Sequence, residues 1–259
     1  PYSIYRKFKL INGMVVFEFS LHRNLTFEAG TAASPVKEIE AKRDQKNESV
    51  GVADPIHKRY RILIRKPGIE HSKPGSIPVS IQFTLKYQGK ISHPIQKGSE
   101  EYARAFSETP GLITATGVYL SASTFWYPEF DKRLVTFSLE TKLPKGWHTV
   151  SQGKGSTSNQ GNQLVEKWVS KNPMDDIYLA AAKFHIYRTE RGKVAILAYL
   201  RTKDDPLARK YLETTGQYLD MYQKLIGPYP FTKFALVENF WETGYGMPSF
   251  TLLGPKVIR

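Results

Sequence analysis

The sequence predicts a mainly β protein, in which a large antiparallel β domain is followed by the opening of an α/β domain. Residues 1–188 consist mostly of short segments that alternate β-branched or aromatic residues with polar ones, separated by turn signals. Past that point the pattern changes to strand, helix and strand. We therefore expect one β domain over residues 1–188 and the start of a second domain, still incomplete, over residues 189–259.

Six segments of the first part have the strand pattern. They are residues 15–21, 60–65, 79–87, 111–119, 134–143 and 163–169. Turn signals such as Asn12-Gly13 and Gln88-Gly89 separate them, which favours antiparallel pairing. The polar, glycine-rich stretch 151–162 is predicted to be a mobile hairpin loop.

The second part starts with a strand over Val194–Leu200. Asp204 then supplies a helix N-cap, and Pro206 suits the first helical turn. A helix is predicted to run to Gly227, because leucines and tyrosines fall on one side at helical spacing and the prolines that follow cannot continue it. Residues 234–239 form the next strand, and a glycine-flanked strand follows.

Composition excludes several classes of protein. The 37 Lys and Arg residues outnumber the 24 Asp and Glu residues, but the net charge of +13 is spread along the chain. The densest basic run, residues 57–66, has an apolar centre and is predicted to be a strand with solvated cations, so no nucleic-acid partner is expected. No window approaches the roughly 18 consecutive apolar residues of a membrane span. The absence of cysteine excludes disulfides and thiolate zinc sites in this chain.

The sequence contains no complete catalytic motif. Its six histidines are isolated, and no His-Glu-x-x-His places two imidazoles on one helical face to bind zinc. A Gly-x-Ser-x-Gly elbow and a phosphate-binding glycine loop are absent as well. Glu238 and Glu242 would point to one face if the segment between them is extended, and they are otherwise two separate rim charges.

The C-terminal segment carries a resemblance. Tyr229-Pro-Phe-Thr-Lys233 opens a strand, and Gly246-Met247 follows in the next one. This order resembles the gluzincin aminopeptidases, the membrane alanyl aminopeptidase family, in which a Tyr-Pro-x-x-Lys strand leads to a Gly-x-Met-Glu-Asn strand. Residues 125–131 are similar to the family's Phe-Pro-Cys-x-Asp turn, and residues 177–184 to the strand that closes its N-terminal domain. The resemblance covers residues 110–259.

The resemblance implies a saddle-like β domain followed by the first strands and helix of a thermolysin-like catalytic domain. It implies a zinc peptidase whose metal ligands and catalytic residues come after the end of this chain, so this chain alone is expected to bind no zinc and to be inactive. Peptide or protein substrates would pair with the edge strand of the cleft. The implied substrate-binding residues are Gly244, Tyr245, Gly246, Met247, Pro248, Ser249, Glu238, Glu242 and Tyr119.

The chain departs from the family pattern at the amino-end site. When the two are laid without gaps from Lys233, Met247 falls on the family methionine, but Pro248 replaces the glutamate that binds the substrate's amino group and Ser249 replaces the asparagine. Proline has neither a charge nor a backbone N–H. Selectivity for free amino ends is therefore expected to change unless another carboxylate supplies the anion.

The family's substrate-binding glutamine from the β domain is also missing. Gly117 lies near its place, and Tyr119 is the nearest candidate. The alternative to a peptidase is a non-catalytic β-rich module that binds polysaccharide or protein on an aromatic face, formed by Phe125, Trp126 and Tyr127. The sequence carries no signal for the oligomeric state. Its start at Pro1, without methionine, would suit an exported bacterial protein that has lost a leader.

Overall fold

The computed structural model describes residues 9–11, 14–28, 36–39, 56–65, 83–97, 107–130 and 134–259. The strands in these ranges are β1 (Lys9–Ile11), β2 (Met14–His22), β3 (Leu25–Phe27), β4 (Val36–Ile39), β5 (His57–Arg65), β6 (Tyr87–Gly89), β7 (Gln96–Lys97), β8 (Ser107–Glu108), β9 (Gly111–Ile113), β10 (Val118–Leu120), β11 (Val135–Pro144), β12 (His148–Val150), β13 (Lys154–Gln160), β14 (Gln163–Met174), β15 (Leu179–Ala182), β16 (His185–Arg191), β17 (Val194–Leu200), β18 (Lys233–Glu238), β19 (Gly244–Met247) and β20 (Phe250–Leu253). The α-helices are α1 (Asp205–Ile226) and α2 (Pro255–Ile258).

The described chain divides into two compact units. One draws on the residues up to Ile91 and on those between Ala122 and Val135, and the other contains residues 92–121 and 136–259. The division predicted after residue 188 stays a prediction. Strand β16 runs across that position and pairs along its whole length with β17.

The first unit contains a four-stranded sheet in the order β1-β2-β5-β4, with antiparallel pairing throughout. Its core is rich in aromatic rings: the Phe19 ring stacks on Tyr60 at a centroid distance of 5.7 Å and lies 5.2 Å from the Phe130 ring. Strands β2 and β5 confirm the predictions for residues 15–21 and 60–65, because the alternating apolar residues of each strand point into this core.

The second unit contains three sheets of three or more strands. Their orders are β12-β15-β10-β9, β11-β14-β13 and β16-β17-β18-β20-β19. The five-stranded sheet is mixed: β17, β18 and β20 are parallel, whereas β16 and β19 run antiparallel at its two edges. Helix α1 connects β17 to β18, as a parallel pair requires.

Helix α1 confirms the predicted helix and both of its ends. The Asp204 carboxylate accepts a hydrogen bond from the Leu207 N–H at 3.1 Å, and Pro206 lies in the first turn. Gly227 ends the helix with a φ of 102°, a conformation that side chains disfavour. Leu219 packs with Ile196 on one face of the five-stranded sheet.

The core of the second unit lies on the opposite face of that sheet. Tyr199 from β17 and Val237 from β18 pack there against Tyr119, Met247 and Phe250. Because side chains alternate between the faces of a strand, the α1 side and this core are separated by the sheet itself. The mainly β class predicted from the sequence is confirmed. No helix in the described ranges is both long and apolar enough to cross a membrane.

Two predicted strands are wrong in their extent. Residues 79–82 lie outside the described residues, residues 83–86 form no strand, and β6 begins only at Tyr87. The apolar pattern there reflects ring packing, since Phe83 lies 5.6 Å from the Phe17 ring. Residues 111–119 form two strands, β9 and β10, around a turn in which the Thr114 N–H donates to the Gly117 carbonyl at 3.0 Å.

The prediction of a mobile loop over residues 151–162 is also wrong. Strand β13 occupies Lys154–Gln160 and pairs antiparallel with β14 over its whole length. All of its residues are exposed, so no apolar alternation marks it in the sequence. The ladder to β14, which does contribute buried residues such as Trp168, stabilises it instead.

Candidate functional site

The candidate site is centred on β19, an edge strand of the five-stranded sheet. Gly244 pairs with Leu253 and Met247 with Phe250, which satisfies one side of the strand through β20. No strand of the described chain pairs with its other side. An edge strand of this kind presents unpaired backbone donors and acceptors to a further strand.

The side chains of β19 divide between the core and solvent. Met247 is buried and Tyr245 packs against the same core, as their two-residue separation requires. Gly244 and Gly246 are exposed on the other side. A Cβ atom placed on Gly246 would meet no heavy atom within 4 Å. Packing therefore does not require glycine at this position.

Tyr119 is brought next to this strand. Its ring lies 5.8 Å from the Tyr245 ring, with 14° between the planes, and 5.3 Å from the Trp241 ring in an edge-on arrangement. Burial raises the pKa of Tyr119 far above the ordinary tyrosine value, with a smaller contribution from Tyr245. Tyr119 packs beneath the edge strand, and its hydroxyl stays protonated well above neutral pH.

Pro248 and Ser249 form the turn between β19 and β20. Ser249 has a φ of 70°, in the left-handed region that a serine rarely adopts. The Lys233 ammonium donates to the Ser249 carbonyl oxygen at 3.2 Å and to its Oγ atom at 2.9 Å. Ser249 is buried, and these bonds hold the turn at the end of the edge strand.

Lys233 has a buried ammonium group in this site, which the sequence did not lead us to expect. It is 4% exposed, and its Nζ atom lies 5.2 Å from the centroid of the Trp168 ring. Burial lowers the pKa of Lys233 to about 7. A lysine at the start of the apolar strand Lys-Phe-Ala-Leu-Val-Glu was the available signal, because a cation there has to be buried with the strand.

The two predicted carboxylates have separate partners. Glu238 is buried and accepts from the Arg201 N–H at 2.8 Å and from the Arg259 guanidinium at 2.8 and 3.0 Å. Glu242 accepts from the Lys256 N–H at 3.2 Å, at the start of α2. The segment between the two glutamates is a loop, so the extended geometry that would pair them is not formed. These contacts agree with the alternative interpretation, in which Glu238 and Glu242 are two separate charges.

The aromatic residues of the alternative binding face lie in the first unit. The Phe125 ring stacks on His57 with centroids 4.2 Å apart, and the Trp126 and Tyr127 rings meet edge-on at 5.2 Å. All three aromatic side chains are half-buried. Gly117, near the expected position of the family glutamine, packs so closely on the Phe240 ring that a side chain there would collide with it.

The residues that the structure describes do not fit a zinc centre. Among the described residues, no group of three or more His, Cys, Asp or Glu side chains is arranged to hold a metal ion. A zinc site needs at least three such ligands around one point.

These features define the class of protein: a mainly β chain whose mixed sheet ends in an edge strand that only β20 pairs with among the described residues. Solved structures of a zinc metallopeptidase and of a hydrolase share this fold over part of their length. The M1 zinc metallopeptidase from Deinococcus radiodurans matches with a TM-score of 0.54 at 10% identity, covering 93% of this chain and 52% of that chain. A mutant of it bound to a Tyr-Ser-Ala substrate gives 0.55 at 10% identity, covering 95% and 54%. Yeast LTA4 hydrolase gives 0.54 at 13% identity, covering 98% and 37%.

The likeness is one of fold. The sequence matches no protein-family model, and no curated protein matches it. The chain spans about half the length of the Deinococcus enzyme and 37% of yeast LTA4 hydrolase. The fold implied by the sequence resemblance is thus found in the structure.

Proposed function

We propose that this chain is the amino-terminal part of a zinc metallopeptidase, in which β19 forms one wall of the peptide-binding cleft. The observation that carries this proposal is an edge strand with one side unpaired within the described residues, in a fold shared with M1 zinc metallopeptidases. The zinc ligands and the catalytic residues would belong to a part of the protein outside this chain. Peptide or protein would be the substrate.

In this proposal the substrate binds as an added strand. An extended peptide would pair with the free side of Gly244–Met247 through backbone hydrogen bonds. Side chains of a strand project from the faces of its sheet, so those of β19 do not stand between the strand and an added peptide. Tyr119, stacked on Tyr245, would help to hold the strand in position.

Recognition of the substrate's amino end is proposed to be weak. Pro248 offers neither a carboxylate nor an N–H group. Glu238 is bonded to Arg259, and Glu242 to the backbone of Lys256. Affinity would then come from backbone pairing and would depend little on whether the peptide's amino group is free.

The test is an NMR titration of the ¹⁵N-labelled 259-residue chain with the tripeptide Tyr-Ser-Ala and with its N-acetylated form. We expect both peptides to shift the amide signals of β19 and β20, with affinities within about threefold of each other. Gly246→Pro should weaken both by at least about fivefold, because proline has no backbone N–H to donate to an added strand. Gly216→Ala on α1 is the matched control and should change neither.

Shifts located elsewhere, or unchanged binding by Gly246→Pro, would remove β19 as the peptide site. Much tighter binding of the free tripeptide would show that the chain does select a free amino end. The metallopeptidase proposal itself is tested on the intact gene product. A His-Glu-x-x-His downstream and zinc-dependent cleavage of both peptides would support it, and a stop codon after Arg259 would overturn it.

A further inference from the structure

A cavity of about 480 Å³ opens in the second unit, apart from the edge strand. Its floor is the face of β16 and β17 that does not carry α1, and its wall is the hairpin of β13 and β14. The apolar part of the lining comes from Trp168, Ile186, Ala195, Leu197 and Tyr199. This volume lies in the range of small-molecule sites, which combine apolar walls with a few polar groups.

The charged groups around the cavity favour an anion. Its two carboxylates already have partners: Glu190 lies 2.7 Å from the Arg188 guanidinium, and Glu166 accepts from the Thr149 N–H at 2.5 Å. Glu166 also lies 3.0 Å from a ring nitrogen of His148.

The other cations of the lining are Lys154, Lys193 and Lys233. Within the described chain, no carboxylate lies within 4.0 Å of any of these three ammonium groups. The carboxylates that line the cavity are therefore paired, whereas these three lysines have no carboxylate partner within the described chain.

Lys233 is the group that specifies the ligand. Its ammonium has three N–H donors, and two of them are directed to the carbonyl oxygen and hydroxyl of Ser249. The third has no acceptor in the described chain. Buried ammonium groups normally have an anionic partner, because burial removes the water that would otherwise solvate the charge. A ligand carboxylate in the cavity would supply that partner.

We propose that this cavity binds a small organic monocarboxylate, whose carboxylate pairs with Lys233 and whose apolar body packs against Trp168 and Leu197. The Trp168 indole ring is fixed for this contact, since its N–H donates to the Thr149 hydroxyl at 2.9 Å. Lys154 and Lys193 would attract the anion to the opening. No residue of β19 lines the cavity, and the two sites are linked only through Lys233, which also holds the turn after β19.

The probe for the experiment is 3-phenylpropanoate, compared with its neutral amide and with inorganic phosphate at the same ionic strength. The readout is the Trp168 indole N–H signal in ¹H–¹⁵N spectra at about pH 6, assigned with Trp168→Phe, since the ammonium is charged there. We expect the carboxylate to shift this signal with an affinity at least about tenfold higher than that of the amide or phosphate.

Two variants and a control decide the outcome. Lys233→Met should weaken binding of the carboxylate at least about tenfold and leave binding of the amide unchanged. Ala195→Phe keeps the ammonium but fills the cavity floor, so it should abolish binding of both the carboxylate and the amide. If Lys233→Met does not fold, Ala195→Phe still tests whether the probe binds in the cavity. Lys210→Met on α1 removes a surface charge outside the cavity and should change nothing.

Equal affinity for the carboxylate and the amide would overturn the proposal, because the ammonium would then have no role. Equal affinity for phosphate would reduce the site to general anion binding and would overturn it as well. Binding that survives Ala195→Phe would place the probe outside the cavity.

Discussion

The aromatic rings of Tyr119 and Tyr245 lie nearly parallel, 5.8 Å apart, and so join the sheet of β10 to the edge strand β19. Tyr119 is 6% exposed and also meets Trp241 edge-on. The position of β19 therefore depends on a packed aromatic group as well as on its ladder to β20. Aromatic pairs of this kind contribute beyond their buried area.

Tyr119→Ala should lower the free energy of unfolding by about 3–5 kcal/mol, because it leaves a cavity under β19 and removes two ring contacts. Tyr119→Phe keeps the ring and should cost less than about 1.5 kcal/mol, the usual contribution of one hydroxyl hydrogen bond. Urea unfolding followed by circular dichroism measures both. Equal effects of the two substitutions would show that the hydroxyl, and not the ring, is the stabilising part.

Asp204→Ala should lower the free energy of unfolding by about 1 kcal/mol, because Asp204 caps α1 through the Leu207 N–H. Asp204→Asn keeps a capping oxygen and removes the charge that faces the Arg259 guanidinium at 3.2 Å. That ion pair is partly exposed, so Asp204→Asn should cost less than about 0.5 kcal/mol. Helix α1 amide exchange provides the local measurement, and it should quicken in the first turn of the alanine variant alone.

Gly254→Ala and Gly246→Ala are the same substitution in two different surroundings. Gly246 lies in β19, and Gly254 directly follows β20. A Cβ atom on Gly254 would collide with the Glu242 carboxylate and approach the backbone N of Thr243 to 2.8 Å, whereas one on Gly246 meets nothing. Gly254→Ala should therefore cost about 1–3 kcal/mol of stability, and Gly246→Ala should lie within about 0.5 kcal/mol of the parent chain. A melting temperature that falls in both variants would contradict the open space at Gly246.

The stability of the chain should rise with pH above neutrality because of Lys233. The pKa of Lys233 is about 7 in the folded chain, and that of a lysine in the unfolded chain is near 10.5. Between these values the unfolded chain binds a proton that the folded chain has lost, so a rise in pH favours the folded state. Below about pH 7 both states bind the proton, and this contribution is flat.

Urea unfolding of the parent chain and of Lys233→Met at about pH 6 and about pH 9 tests this expectation. The parent should gain stability relative to Lys233→Met at the higher pH. A constant difference between the two proteins would show that the lysine keeps its ordinary pKa in the folded state.

The elements that local signals specify were predicted, and those that depend on distant partners were not. Helix α1 follows from Asp204, Pro206 and Gly227, which act within a few residues of the helix ends. Strand β13 has no apolar alternation and exists through its ladder with β14, so no local pattern indicated it. The turn at Thr114 was missed because a threonine hydroxyl, and not a proline or asparagine, holds it.

The candidate site shows the same division. The sequence singled out β19 through its glycines and Met247, but its place at the sheet edge depends on the parallel pairing of β18 with β20. Glu238 was predicted as a substrate group, while its partner Arg259 lies 21 residues away in the chain. The role of Lys233 depends on Ser249 and Trp168, which come together only in the folded chain.

The side of β19 that β20 does not occupy can also pair with β19 of a second molecule of this chain. Two molecules can align their Gly244–Met247 segments edge to edge, and self-association of this kind grows with protein concentration. The strand is four residues long and ends at Pro248, which limits the ladder that two copies can form. Concentrated samples are therefore expected to contain dimers that compete with any peptide, and dilution should restore access to the strand.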